Sequence, residues 1–234
     1  MAWTDTTRKA EAQGGGVTSL NVTLNSTVAG NLVVAGHSSF EGAGNFAAAT
    51  TYSDGGNTWT ESFRTAISGG KQISGLGYSV LTTGGNRTIN FDPGTSSYDM
   101  SVYVHEFSGP HATPASGTPV TSTGNSTTAS TGAMTPADND VLLIAVDGHA
   151  TSGTVTENAG SEGFTLSNDH ESGTSAEPGS MVFKILSGAP GTPSHSWTIP
   201  SGLWAAGIAA FKPAAEAGSF IFQKSRSMQA TMRR

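Results

Sequence analysis

Six histidines (His37, His105, His111, His149, His170 and His195) and seventeen carboxylates carry most of the reactive chemistry in this chain of 234 residues. None of the six stands in a His-x-Glu or His-x-x-x-His spacing, so no local pair offers two ligands to a metal ion. His105 and Glu106 are an adjacent acid–base pair. On a strand, neighbouring side chains point to opposite faces, so the two cannot act on one substrate atom. A structural role, with one of them facing inward and hydrogen-bonded, is expected. A glycosidase needs two acids at a set separation, and Asp54, Asp92, Asp138, Asp140, Asp147, Glu157, Glu162, Asp169, Glu171 and Glu177 are scattered through turns with nothing to select two. A serine nucleophile would sit in a Gly-x-Ser-x-Gly elbow before a helix, and no helix follows any candidate. Asp54 with Asn57, or Asp169 with Glu171, could offer oxygen to calcium, but the 12-residue calcium loop is missing and such residues are ordinary in turns. With no cysteine, thiolate zinc sites, disulfides and a cysteine nucleophile are excluded together. No enzyme, metal or cofactor is expected.

Tyr52, Trp59, Trp197 and Trp204 are the platforms on which a sugar could stack. Trp59 lies between Thr58 and Thr60, and Trp197 between Ser196 and Thr198, an alternation that turns each indole towards a core. The Asn-x-Ser/Thr triplets at Asn21, Asn25, Asn86 and Asn125 are compositional coincidences in a chain this rich in Ser and Thr.

The last stretch carries a different signal. Phe220, Ile221 and Phe222 precede a cationic run with Lys224, Arg226, Arg233 and Arg234 and no acid. That leaves seven of the eleven cations against all seventeen acids in residues 1–218. An acidic body disfavours nucleic acid, whereas a basic, apolar tail can dock on a neighbouring copy. These seven residues are the expected assembly elements, either folding back as an extra strand or adding to a neighbour.

Charged residues make up only 12% of the chain, and Gly, Ser and Thr dominate, which is the composition of short strands joined by turns. No run of about 18 apolar residues occurs, and the first sixteen residues lack the apolar centre of a secretion signal. Residues 1–16, closed by Gly14, Gly15 and Gly16, read as a flexible arm. Val17–Leu24 alternates as a half-buried strand, and Asn31–Gly36 is an apolar run suited to a central strand covered on both faces. Asp54-Gly55-Gly56-Asn57, Gly84-Gly85-Asn86 and Asp92-Pro93-Gly94 mark turns.

From Asp140 onwards the order repeats. DVLLIAV answers NLVVAG, GFTLSN answers NTWTES, MVFKIL answers GYSVLT, SWTI answers RTIN, and LWAAGIAAF answers SVYVHEF. LWAAGIAAFK alone could be a helix, but its counterpart decides for strand. The sequence therefore predicts an all-β, jelly-roll-like antiparallel β-sandwich over residues 17–213. Its two related halves, 17–109 and 138–213, are joined by the Ser/Thr/Pro-rich stretch 110–137, either a crossover lying along the sandwich or an exposed strand pair, and followed by the basic extension 214–234.

Asp54 to Thr60 (DGGNTWT), Val104 to Gly109 (VHEFSG) and Trp204 to Lys212 (WAAGIAAFK) resemble the Gly/Ser/Thr-rich β-sandwich modules of bacteriophage virion proteins and bacterial surface proteins. The resemblance covers about residues 17–213 and brings no catalytic signature. It implies a structural or adhesive module. Without an export signal, the expectation is a non-enzymatic component of a phage-like virion exterior, a capsid decoration or tail-associated subunit made in the host cytoplasm. Its partners would be copies of itself and other virion proteins, with no nucleic acid and no membrane. The alternative is a carbohydrate-binding adhesion module that recognises a surface glycan.

Overall fold

The computed structural model describes residues 2–40, 50–67, 72–94, 98–150, 156–157, 162–170 and 178–214. The chain is all-β, with antiparallel ladders throughout. The first half contributes β1 (Thr4–Val17), β2 (Leu20–Thr27), β3 (Leu32–Phe40), β4 (Thr51–Ser53), β5 (Thr60–Ala66), β6 (Gln72–Val80), β7 (Gly85–Asp92) and β8 (Tyr98–Ser108). The second contributes β9 (Pro110–Ala115), β10 (Val120–Ser130), β11 (Leu142–His149), β12 (Thr156–Glu157), β13 (Thr165–His170), β14 (Gly179–Ile185) and β15 (Ser196–Pro213).

A five-stranded sheet, in the order β1-β8-β3-β6-β5, packs face to face on a second sheet in which β10-β15-β11-β14-β13 run in sequence. A small third sheet, β2-β7-β4, covers the outer face of the first. The ladders of the two halves run in parallel: Leu32 pairs with Phe107 and Val80 as Leu142 pairs with Phe211 and Ile185. In the second half β15 does the work of both β7 and β8. Val120–Ser126 pairs with its later part and Thr128–Ser130 with its earlier part. The alanine-rich segment LWAAGIAAF is strand, because both neighbours hydrogen-bond it and every residue from Trp204 to Phe211 is buried. The same burial explains its small side chains: a Cβ on Gly207 would lie 2.4 Å from Phe63 of the opposing sheet, so the aromatic ring seats directly on backbone.

Three apolar cores follow from the layering. The central one joins the halves, with Leu32, Val34, Leu76, Tyr103 and Phe107 meeting Leu142, Ile144, Met181, Phe183 and Phe211. The second lies between the first sheet and the small sheet, around Val33, Ile73, Ile89, Phe91 and Val102. The third covers the outer face of the second sheet, around Leu143, Val182, Trp197, Trp204 and Ile208. β3 and β11 are apolar on both faces because each lies between two cores, as their unbroken apolar runs predict.

One sequence expectation is corrected. Residues 1–16 are not a flexible arm. All but the first three belong to β1, whose Lys9–Gly14 segment pairs residue by residue with His105–Met100. As an edge strand it keeps Lys9, Glu11 and Gln13 in water and leans Ala10 and Ala12 on the second core, so it reads as polar in sequence. Of the two readings of residues 110–137, the structure has strands there: β9 and β10 both pair with β15.

Candidate assembly site

Among the described residues, His37, His105, Glu106, Asp147, His149 and His195 are buried and contact polar partners within the fold. His105 and Glu106, on opposite faces of β8, are both buried rather than one. Glu106 Oε1 accepts from the Val28 amide (2.8 Å) and from Asn31 Nδ2 (2.7 Å), and Oε2 from Arg8 Nη1 (3.1 Å). The carboxylate thus ties β1, β8 and the β2–β3 turn together. On the other face, His105 Nε2 lies 2.8 Å from Asp5 Oδ1 and Nδ1 lies 2.7 Å from Ser167 Oγ. This Ser–His–Asp arrangement escaped the sequence because its members come from β1, β8 and β13 with no local spacing. Ser167, in β13, is fully buried and its hydroxyl donates to Asn168 Oδ1 (2.8 Å). Burial holds the His105 imidazole below its ordinary pKa, against the pull of Asp5.

The remaining described imidazoles in the cores follow the same pattern. His37 Nδ1 lies 2.6 Å from the Tyr52 hydroxyl and its ring stacks on Phe91 at 4.3 Å. Burial, aided by Arg64, lowers its pKa to about 3. His149 contacts Asp147 at 3.1 Å, and Asp147 in turn accepts from Ser180 N and Oγ. His195 contacts Glu162 at 2.6 Å, and burial again lowers its pKa. Asp54 accepts from the Gly56 and Asn57 amides of its own turn, which accounts for it without calcium. Among the described residues, no group of three or more His, Asp or Glu could hold a metal ion.

The proposed sugar platforms are corrected by burial. Tyr52, Trp197 and Trp204 are buried, Trp204 with its Nε1 donating to Ser126 Oγ (2.9 Å) and its ring over Gly124. Trp59 is half-buried, stacked on Tyr52 at 5.7 Å. Tyr52 and Trp59 pack with the second core, and Trp197 and Trp204 with the third; Thr and Ser flank Tyr52, Trp59 and Trp197, whereas Trp204 stands between Leu203 and the buried Ala205. The four rings form no common stacking surface.

Among the described residues, a groove of about 530 Å³ is lined by Ala2, Trp3, Ile185, Leu186, Pro213 and Ala214, with Asp138, Asp140, Lys212 and His111 also at its walls. Trp3 fixes one side: it is buried in the central core and its Nε1 donates to the Phe211 carbonyl (3.2 Å). The Ala214 amide donates to the Gly109 carbonyl (2.8 Å), which directs the chain along the wall. Asp138 Oδ2 accepts from Ser116 Oγ (3.0 Å) and lies 3.9 Å from Lys212. Asp140, at φ 57°, accepts from the Gly188 amide (2.6 Å) and so stands at the tip of its turn. Ile185, 38% exposed, leaves apolar surface in the groove. The arrangement suits an apolar segment with cations beside it. The sequence did not single out Trp3, Asp138, Asp140 or Ile185 as neighbours; the one available signal was Ile185, the last strand residue of MVFKIL. The assembly residues expected from the sequence, Phe220, Ile221, Phe222, Lys224, Arg226, Arg233 and Arg234, lie outside the described residues. Compared with protein-family models, curated proteins and solved structures, the chain matches none.

Proposed function

We propose that the protein is a non-enzymatic structural component of the exterior of a phage-like virion, a capsid decoration or tail-associated subunit that joins copies of itself and other virion proteins through its terminal extension. The observation that carries this reading is the groove at Ala214, apolar and acid-flanked, close in sequence to an apolar and basic segment. The layered body supports it, since three cores on long ladders make a stiff unit whose buried histidines and acids are engaged in holding strands together. A glycan-binding role draws no comparable support, because the candidate rings are packed into cores.

Deleting residues 219–234 is expected to leave thermal unfolding within a few degrees of the full chain while abolishing higher assemblies in sedimentation velocity. Truncated protein that assembles like the full chain would remove the extension from the reading.

A further inference from the structure

The groove has an occupant within reach on the same chain. Ala214 lines it, and five residues, 215–219, separate that wall from Phe220. Fully extended, five residues span about 17 Å, so Phe220 cannot stray far from the groove mouth. A tether that short places the segment at an effective concentration on the order of millimolar, without any contact to a second molecule. The chemistry matches from both sides. Ile185, Leu186 and Pro213 offer apolar surface to Phe220, Ile221 and Phe222 beside the buried Trp3, and Ile185 and Val28 are the large apolar side chains left exposed among the described residues. Asp138 and Asp140 stand at the wall, and Lys224 and Arg226 follow the apolar triplet within four residues. A groove of about 530 Å³ is also in the range that seats a compact group of side chains, about 300–1,000 Å³.

We infer that the groove between Trp3, Ile185 and Ala214 is the seat of Phe220–Phe222 of the same chain, with Lys224 and Arg226 against Asp138 and Asp140. The seat is a property of the single chain and stands whether or not the particle reading does.

The absence of cysteine from the chain makes the test clean. Ile185→Cys is combined, in three full-length variants, with Phe220→Cys, Ile221→Cys or Phe222→Cys, so that each position of the triplet is probed in turn. Thr83→Cys, on an exposed turn of the first half, replaces Ile185→Cys in the controls. Under mild oxidation at low micromolar protein, at least one Ile185 pair is expected to close as an intrachain disulfide at monomer mobility, about tenfold or more faster than any Thr83 pair. Adding Lys224→Glu and Arg226→Glu is expected to slow that closure severalfold. Equal rates at Ile185 and Thr83 would overturn the proposal, as would covalent dimers as the main Ile185 product, which would assign the groove to a neighbour's segment. Closure unaffected by the two charge reversals would overturn the role given to Asp138 and Asp140.

Discussion

Glu106→Ala is expected to lower the free energy of unfolding by about 3–5 kcal/mol, the range for removing one member of a buried charged pair. The carboxylate is fully buried and receives three donors from three places in the chain: Arg8 on β1, the Val28 amide before β3, and Asn31. Truncation leaves an amide and a carboxamide without their acceptor and strips the guanidinium of its counter-ion, so the cost comes from what stays behind. Glu106→Gln keeps the shape and an acceptor oxygen and is expected to lose about half as much. Arg8 is itself partly exposed, which limits its share of the loss. The second half has Ala210 at the matching place, pairing with Leu143 as Glu106 pairs with Val33, and Ala210 packs in the third core. Urea unfolding measures the effect; a loss below about 1 kcal/mol for Glu106→Ala would show that the carboxylate does not hold β1 and the β2–β3 turn in place.

Acid is expected to destabilise the protein from about pH 6.5 downward, before most carboxylates titrate. His37, His105 and His195 are all held neutral by burial, with folded-state pKa values below the ordinary 6.5. The unfolded chain binds protons there that the folded chain refuses, so the stability these groups contribute is complete above pH 6.5. It is lost as pH falls towards each lowered value. For His37 the window runs from 6.5 to about 3, because its ring is enclosed by Tyr52, Phe91 and the backbone at Gly75, with Arg64 nearby. Over that window its share is on the order of 5 kcal/mol. At His105 and His195 burial is opposed by Asp5 and Glu162, which favour the charged forms. Calorimetric unfolding from pH 8 to pH 4 is expected to show a falling midpoint and net proton uptake on unfolding below pH 6.5. A midpoint flat between pH 7 and pH 5 would contradict the neutral, buried assignment.

The fold was legible where side chains repeat with period two or run apolar without a break. β3, β11, β14 and the closing strand announce themselves in this way, and β3 lies between β6 and β8 as β11 lies between β14 and β15. β1 was not legible as a strand, and β10 only as one of two readings of its stretch. Each is an edge strand of threonine, serine, glycine and other polar residues, and an edge with one wet face has the composition of an arm or a linker. Polar bonding across the fold was hidden for a different reason. Asp5, His105 and Ser167 meet only because β1 and β8 pair in one sheet while β13 lies across the central core, and no local spacing records that packing. The groove was hidden likewise, since Trp3, Asp138, Ile185 and Ala214 come from four separate stretches of chain. What the sequence did offer was the complementary half of that site, an apolar triplet followed by cations after an acidic body.

The proposed place of this chain on the outside of a particle is tested most directly on the particles themselves. Particles released by lysis from the host that makes the chain would be purified by density, analysed by quantitative gel, and labelled intact with antibody against the body. The chain is expected in many copies per particle and accessible to antibody without disruption. Recovery of the chain solely in the soluble lysate, with none on the purified particles, would contradict the virion assignment.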